Sequence, residues 1–387
     1  MEKAHLIIGI IIFLIAFSYV LVISVLCYGW VSTKKRELDL TRVVKISVIV
    51  AARNEEANIS LCLQSIIHQF YLKHHYELII IDDASTDSTN AIITSFCKNH
   101  DFIKMITLDD ATKSAGKKRA IEKAIQIATG ELIVTVDADC TMNKNWLSTI
   151  AAYYCKTNAK MIVGPVCFYE ENTVFEKMQT VEFMALIASG AGALYFNKAI
   201  MCNGANLIYT KEAFNLVNGF KGTENIASGD DVLLMYKIKE KYANGIHFLK
   251  QQDAIVYTKA KTNFSEFINQ RKRWASKGFM NFNKETKVVS LIVYLFNSLI
   301  VVLPFFDLIK VTDNYFSSSF FEISLILLLI KCVIDFLLLF LAASFFKKIS
   351  LLIYFIPEQL IYLFYVVSIS FLSIAGTYEW KSRKIKK

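Results

Sequence analysis

The 387-residue sequence contains no CxxC pair, no histidine-rich stretch, no internal repeat and no low-complexity linker. Without paired cysteines or histidines at metal-ligand spacing, its eight cysteines are not expected to form a zinc site. They fit single buried thiols in a reduced, cytosolic domain. Charge is missing too from Leu6 to Tyr28, a run long enough to span a bilayer. Few charges precede that run and no small-residue cleavage site follows it, so it reads as a retained anchor rather than a signal peptide.

What is present is an excess of apolar residues, 54% of the chain, concentrated at the two ends. Three further apolar stretches run from Val288 to Ile309, Phe320 to Phe346 and Ile349 to Ile374. Lys34, Lys35, Arg36, Arg42 and Lys45 follow the first span, which by the positive-inside bias puts the next domain in the cytoplasm. The formal charge of +9 is then largely a membrane-surface property, with Lys347, Lys348 and the tail Lys381 to Lys387 contributing. No nucleic-acid partner is expected, because these charges flank spans and lack interleaved aromatics on a soluble face. Three full C-terminal spans would put the basic tail outside, against the same bias. Either the charge bias fails here or one stretch re-enters or lies in the interface, and the stretch holding Pro357 and Glu358 is a candidate.

Between these ends, buried-strand runs alternate with helix-period segments. Ile46–Ala52, Leu78–Ile81, Ile103–Leu108 and Leu132–Val136 read as strands. One helix carries Ile59, Leu63, Ile66 and Ile67 on one side; another, with an N-cap among Ser85, Thr86 and Asp87, carries Ile92, Ile93 and Phe96. A third, from Gly116 to Thr129, is expected to stop at Gly130 as a helix C-terminal glycine. The alternation predicts an α/β fold: a doubly wound, mostly parallel sheet with helices on both faces, flanked by N-terminal and C-terminal transmembrane helices. The expected divisions are 1–32 anchor, 44–262 cytoplasmic catalytic domain, 263–287 amphipathic segment, 288–376 membrane segments and 377–387 basic tail.

Polar constellations follow the strands. Arg53-Asn54-Glu55-Glu56 succeeds the first, Asp82 to Asp87 closes the second, and Asp137-Ala138-Asp139 ends a later one. Carboxyl ends of parallel strands share one sheet edge, so these loops should converge on one cleft. Alternation along an extended chain lets Asp137 and Asp139 point the same way and share one hard cation on a diphosphate. Each loop alone also reads as an ordinary capped turn. Gly229-Asp230-Asp231 similarly reads either as a cap before the helix Val232–Lys241 or as a pair of acids in which mutual repulsion raises one proton affinity, useful for a base. From Phe264 to Gly278, apolar and basic residues mix as in an interfacial helix, though a solvated basic helix has a similar composition.

Seven motifs in order carry a resemblance: Val50-Ala51-Ala52-Arg53-Asn54-Glu55, Asp82 to Asp87, Gly116 to Ile121, Asp137-Ala138-Asp139, Asn203-Gly204-Ala205-Asn206, Gly229-Asp230-Asp231 and Gln270-Arg271-Lys272-Arg273-Trp274. With them the chain resembles the family-2 glycosyltransferases of the GT-A fold, in the membrane-embedded branch of cellulose, hyaluronan and poly-N-acetylglucosamine synthases. The resemblance implies that Glu55 and Asp83 bind the nucleoside of a nucleotide-sugar, and that Lys117 or its neighbour Lys118 approaches the phosphates or sugar. It implies further that Asp137 and Asp139 bind the diphosphate through Mg²⁺ or Mn²⁺, and that Asp231, beside Asp230, is the general base. Gln270, Arg273 and Trp274 would close over the donor diphosphate and the acceptor sugar.

The oxygen-rich, histidine-free setting independently favours such cations. The implied reaction is inverting sugar transfer, from a UDP-sugar by family precedent with a GDP-sugar also compatible, at the cytoplasmic face of the cell inner membrane. The implied acceptor is a lipid, a lipid-linked glycan or a growing polysaccharide. Asn203-Gly204-Ala205 stands where cellulose-synthase-like members carry Cys-Gly-Ser, so linkage does not carry over. Lys331 and Asp335, one helical turn apart, line a polar path or form an ion pair, and Glu358 is open to the same two readings. A non-catalytic membrane subunit that keeps the fold is the alternative of a different class.

Overall fold

In the computed structural model, the described residues are 2–38, 42–109, 116–223, 226, 229–275, 283–308, 319–374, 378–380 and 383–385. The chain opens with α1 (Glu2–Ser32), β1 (Ile46–Ala52), α2 (Ile59–Ile67), β2 (Tyr76–Asp83), α3 (Thr89–Asn99) and β3 (Ile103–Leu108). There follow α4 (Gly116–Ile127), β4 (Leu132–Asp137), β5 (Thr141–Met142), α5 (Trp146–Thr157), β6 (Met161–Val163) and β7 (Val166–Tyr169). Next are α6 (Val174–Tyr195), β8 (Leu207–Thr210), α7 (Lys211–Leu216), α8 (Asp230–Lys241), β9 (Ile246–Phe248) and β10 (Val256–Lys259). The chain closes with α9 (Phe264–Ala275), α10 (Lys284–Leu308), α11 (Phe320–Phe346), α12 (Phe355–Ile374), β11 (Tyr378–Trp380) and β12 (Arg383–Ile385).

The chain divides into two compact units. One comprises Thr33–Glu171, Leu194–Lys261 and Thr377–Lys387. Its main sheet has the order β3-β2-β1-β4-β8-β6-β9. β1 runs parallel to β2 and β4, whereas β8 is antiparallel to both β4 and β6. The predominance of apolar residues in β1, β2 and β4 follows from burial on both faces of the sheet centre. β3, at the edge, is buried only at its two ends, Ile103 and Leu108. A smaller sheet, β5-β10-β7, extends the chain beyond the metal motif. The parallel register sets Ala52 opposite Asp82 and Ala51 opposite Asp137, so the polar strand ends lie side by side.

The cap expected among Ser85, Thr86 and Asp87 is made by Asp87, and the expectation at Gly130 is corrected. α3 begins at Thr89, and its first turn is capped by Asp87, whose Oδ1 accepts the Thr89 amide at 3.0 Å. α4 ends at Ile127, and Gly130 is not a left-handed helix terminator, since the positive-φ glycines are Gly219, Gly222 and Gly229. Gly130 is needed for close approach: a Cβ there would sit 2.4 Å from the Ser47 amide nitrogen. Its own amide donates to Ser47 Oγ at 2.8 Å, and that hydroxyl donates to the buried Glu77 carboxylate.

The other unit comprises Met1–Ser32, Asn172–Ala193 and Thr262–Gly376. Among its described residues are four helical stretches long and apolar enough to cross a membrane: Leu6–Ser32, Lys284–Asp307, Phe320–Phe346 and Ile349–Ile369. Their exposed faces carry large apolar residues such as Leu6, Phe13, Val333 and Ile353, as a lipid-facing surface requires. The last stretch is a 3₁₀ turn, Ile349–Tyr354, running into α12, with Pro357 in the first turn where a missing amide costs little. α1 and α6 cross at glycines: a Cβ on Gly29 would lie 2.1 Å from the Gly192 carbonyl oxygen. Of the two readings of Lys331 and Asp335, the structure shows the ion pair, at 2.7 Å with Lys331 fully buried. The Tyr19 hydroxyl also donates to Asp335, at 2.7 Å, and Lys331 donates to Gln359.

Candidate active site

The loops after β1 and β2 are laced together by their own polar groups. Arg53 Nη1 donates to the carbonyl oxygens of Asp83 and Ala84, at 2.6 and 3.2 Å. The Asn54 amide donates to Ser85 Oγ, and Asn54 Oδ1 accepts the Thr86 amide. The Glu55 amide donates to Thr89 Oγ1 at 2.7 Å, and Glu56 and Asp87 bond each other's loops reciprocally. Asn54 and Ala84 adopt left-handed conformations, φ +50° and +53°. Most of the capping anticipated at these turns is therefore real, and it fixes the loops rigidly. Asp82 serves that lattice, accepting the Ser85 amide and Asn90 Nδ2. Asp83 and Glu55 sit at the same edge, with Asp83 buried and Glu55 Oε2 accepting from Asn58 Nδ2.

At the end of β4, the Asp137 carbonyl accepts from the Cys140 amide at 3.1 Å, turning the chain so that Asp139 follows. Burial raises the Asp139 carboxyl above its usual range, and the neighbouring charges of Asp137 and Glu55 push the same way, with Lys261 opposing. Three carboxylates thus crowd one corner. Lys117, from the first turn of α4, answers them: its Nζ lies 2.5 Å from Asp137 Oδ1 and 3.9 Å from Asp230 Oδ2. Desolvation alone would lower its proton affinity, but Asp137, Asp230 and Asp231 together raise it, so Lys117 stays charged.

Among the described residues, no cluster of three or more His, Cys, Asp or Glu donors stands ready to hold an ion. Asp137 and Asp139 fit a hard cation in the way magnesium-type sites do. They offer carboxylate oxygens and surplus negative charge, and leave the remaining positions to phosphate oxygens and water.

Asp230 and Asp231 open α8. Gly229, φ +87°, turns the chain into the helix. Asp231 is held by two backbone amides: Gly204 N–H donates to Oδ2 at 3.1 Å and Val232 N–H to Oδ1 at 2.8 Å. Gly204 is tight, since a Cβ there would be 3.4 Å from both Lys117 Nζ and Asp231 Cβ. Its loop is fixed by Asn203 Oδ1, which accepts the Ala205 amide, and by fully buried Asn206. Asn206 Nδ2 donates to Pro165 O and Ala254 O, and its Oδ1 accepts from Trp146 Nε1. Asn206 is part of the motif read in the sequence, but its buried bonding role had no local signal.

Lys117, Asp137, Asp230, Asp231 and Gly204 therefore meet in one unit, with Asp139, Glu55 and Asp83 at the same edge. Lys118 is not an alternative to Lys117. It is buried and donates instead to Thr223 O and Ile226 O, at 2.5 and 2.8 Å.

Gln270, Arg273 and Trp274 lie in the other unit, on α9. There the buried residue is Arg271, which the sequence did not single out. Its Nη2 lies 2.5 Å from Glu182 Oε2, and its guanidinium packs between Trp274 and Phe267, at 4.1 and 4.8 Å from the ring centroids. Burial raises the Glu182 carboxyl and the Arg271 pairing opposes it.

Three comparisons bear on this arrangement. The model of the family described as "Glycosyl transferase family 2" matches residues 47–216, and that of "Glycosyl transferase family group 2" matches residues 132–372. A probable glycosyltransferase, YdaM, of Bacillus subtilis (strain 168) is 25% identical over 247 residues, 61% of this chain and 56% of its own length. The glycosyltransferase AglE of Haloferax volcanii is 26% identical over 48% of this chain and 59% of its own length. The chain thus spans less than two thirds of either relative. A poly-beta-1,6-N-acetyl-D-glucosamine synthase of Staphylococcus epidermidis is 25% identical over 72% of this chain and 68% of that protein. Among solved structures, a mannosyltransferase of Pyrobaculum calidifontis in complex with GDP-Man and Mn²⁺ has a TM-score of 0.57 at 18% identity, covering 91% of this chain and 98% of that one. That likeness shows the GT-A fold.

Proposed function

The chain belongs to glycosyl transferase family group 2 and is a glycosyltransferase. We propose that it is a membrane-bound, inverting, metal-dependent enzyme that moves one sugar from a nucleotide-sugar to a lipid or lipid-linked glycan. The observation that carries this reading is the position of Lys117. One ammonium spans the donor-side carboxylate Asp137 and the acceptor-side Asp230, with Asp231 fixed alongside by Gly204. Leaving-group and nucleophile chemistry are thereby brought to one corner.

Glu55 and Asp83 hold the nucleoside, and Asp137 and Asp139 hold Mg²⁺ or Mn²⁺ on the diphosphate of the donor, a UDP-sugar or GDP-sugar. The cation, when bound, offsets the negative charge that grows on the departing diphosphate. Lys117 adds a second positive group to that diphosphate. Asp231 takes the proton of the acceptor hydroxyl as its oxygen bonds to the anomeric carbon and the carbon–phosphate-oxygen bond breaks. Attack from the face opposite the leaving group inverts the anomeric configuration. Backbone amides on both carboxylate oxygens of Asp231 fix its orientation.

Gln270, Arg273 and Trp274 take part at the acceptor and diphosphate. The basic run Lys34 to Lys45 after the first span supports a cytoplasmic catalytic unit in the cell inner membrane, with 1–32 as anchor, 44–262 as catalytic stretch, 263–287 as an interfacial segment, 288–376 as membrane segments and 377–387 as a basic tail.

A second reading, a chain-elongating synthase, is favoured by the match to the S. epidermidis polysaccharide synthase. Purified membranes incubated with labelled nucleotide-sugars and Mn²⁺, followed by sizing of lipid and polymer products, separate the two. One-sugar lipid products support the proposal, and long polymer replaces it with the second reading. No metal-stimulated turnover with any donor, with or without lipid extract, would leave a non-catalytic subunit. The Asp137→Ala, Asp139→Ala double variant should lose product, and wild-type rates from it would sink the metal assignment.

A further inference from the structure

Lys118 buries a charged ammonium away from the donor corner, in a place the reaction does not require. We propose that Lys118 is a positioning residue that sets the acceptor-side acids by clamping the segment leading into them; naming those acids rests on the functional reading above.

A charged side chain is retained in the interior only when its donors are matched. Lys118 Nζ donates to two backbone carbonyls of one short segment, Thr223 O at 2.5 Å and Ile226 O at 2.8 Å. The same segment is strapped at its other end by Lys237 of α8, whose Nζ donates to Gly219 O at 2.5 Å and Lys221 O at 3.0 Å. Thr223 Oγ1 donates to Phe220 O at 2.7 Å, closing the turn between the straps. The chain then reaches Gly229, whose left-handed backbone sets the direction in which Asp230 and Asp231 begin α8. Among the described residues the segment's backbone bonds are those of turns, such as Thr223 N–H to Phe220 O and Ile226 N–H to Thr223 O, and the two lysines add to them.

Consecutive residues on a helix diverge by about 100°. Lys117 and Lys118 therefore leave the first turn of α4 in different directions, one to Asp137 and Asp230, the other to the segment before Asp230. One rigid turn fixes both the donor-side cation and the path of the acceptor-side acids. A shift of α4 as the diphosphate binds would be passed to Asp230 and Asp231 through Lys118.

The test uses the full chain in detergent micelles, as wild type, Lys118→Met and Lys118→Arg. Hydrogen–deuterium exchange is read over peptides covering 219–223 and 229–235, and binding is measured with UDP and with GDP in the presence of Mn²⁺. In Lys118→Met those two peptides should exchange about tenfold faster, because two charge-assisted bonds are lost. Peptides of β1, β2 and β4 should keep wild-type exchange, and nucleotide affinity should hold within about twofold. Lys118→Arg, which can still donate to both carbonyls, should restore protection. With donor turnover as the readout, Lys118→Met should lower kcat and leave the donor KM unchanged. Unaltered exchange of 219–223 and 229–235 in Lys118→Met overturns the proposal, as does a rise spread evenly over the whole unit. Wild-type protein that binds neither UDP nor GDP would defeat the nucleotide-sugar reading, while the exchange data would still decide the clamp.

Discussion

Replacing Lys117 with Met should change metal and nucleotide binding in opposite directions. In the structure its ammonium lies 2.5 Å from Asp137 Oδ1 and 3.9 Å from Asp230 Oδ2, holding a positive charge where carboxylates crowd. A unit charge at this range is worth about 4 kcal/mol at an effective dielectric of 20. The side chains are 26% and 41% exposed for Lys117 and Asp137, so solvent screening reduces that to about 1–2 kcal/mol. Methionine keeps the length and removes the charge, leaving Asp137 and Asp139 more negative and open to a hard cation. Mn²⁺ titrated into the nucleotide-free Lys117→Met protein, followed by the loss of its free electron-spin-resonance signal, should bind about tenfold more tightly than to wild type. On the proposed reading, in which Lys117 faces the donor diphosphate, UDP or GDP titrated at saturating Mn²⁺ should bind about tenfold more weakly. A purely structural lysine would weaken both or neither. Unchanged or weaker Mn²⁺ binding in the nucleotide-free variant would refute the placement of Lys117 as the cation that balances the donor carboxylates.

The remaining expectations concern the scaffold. Burial alone would raise the Glu77 carboxyl, but Lys104, the Thr129 amide and hydroxyl and the Ser47 hydroxyl outweigh it and hold it at about 2. Because that folded value lies below the unfolded one, Glu77 should contribute up to about 3 kcal/mol above pH ~4.5, lost as the pH falls toward 2. In Glu77→Gln, acid unfolding followed by tryptophan fluorescence should lose that part of its pH dependence. Gly130→Ala pushes a Cβ to 2.4 Å from a backbone nitrogen of β1, which cannot rotate away. Overpacking of this kind costs at least about 1–3 kcal/mol, read as a lower urea midpoint. Lys331→Met leaves the half-buried Asp335 without its cation and should destabilise the purified chain by up to about 3–5 kcal/mol. The double variant Lys331→Met, Asp335→Asn keeps an acceptor for Tyr19 and should recover most of that loss in thermal unfolding; no recovery would contradict the ion-pair account.

The central strands were legible because strands covered on both faces must be mostly apolar, and β1, β2 and β4 each end where polar residues begin. That same boundary made Asp83, Asp137 and Asp139 readable as residues at a sheet edge. The short strands β6, β7, β9 and β10, and the reversal of β8, had no such signal, since three or four residues carry no period. Gly130 shows how a correct residue invites a wrong cause: a glycine after a helical pattern suggests a left-handed cap, while its need comes from Ser47, 83 positions away. Lys118 and Arg271 were opaque for the same reason. Their partners, Thr223 and Glu182, are 105 and 89 positions distant, and nothing local distinguishes either residue from its basic neighbours. Residues whose chemistry is set by the strand they terminate can be read from sequence. Residues whose chemistry is set by a distant partner cannot.

The polar groups of the membrane helices bear on which product the enzyme makes. A path for an extruded glycan would present hydroxyl-binding groups along an opening, each left able to exchange partners as sugars pass. Here the groups clustered around Lys331 are committed to one another. Lys331 is fully buried, bonded to Asp335 and Gln359 and set over the Tyr362 ring at 5.0 Å. Asp335 accepts from Tyr19 on α1, and Gln359 donates to Glu358 at 3.1 Å. These bonds tie α1, α11 and α12 together, and opening them for a passing chain would strand a charged lysine in the interior. A bundle locked in this way suits an enzyme that returns its product to the membrane after one transfer. That favours the proposed lipid acceptor, because a single sugar added to a lipid needs no polar route across the bilayer.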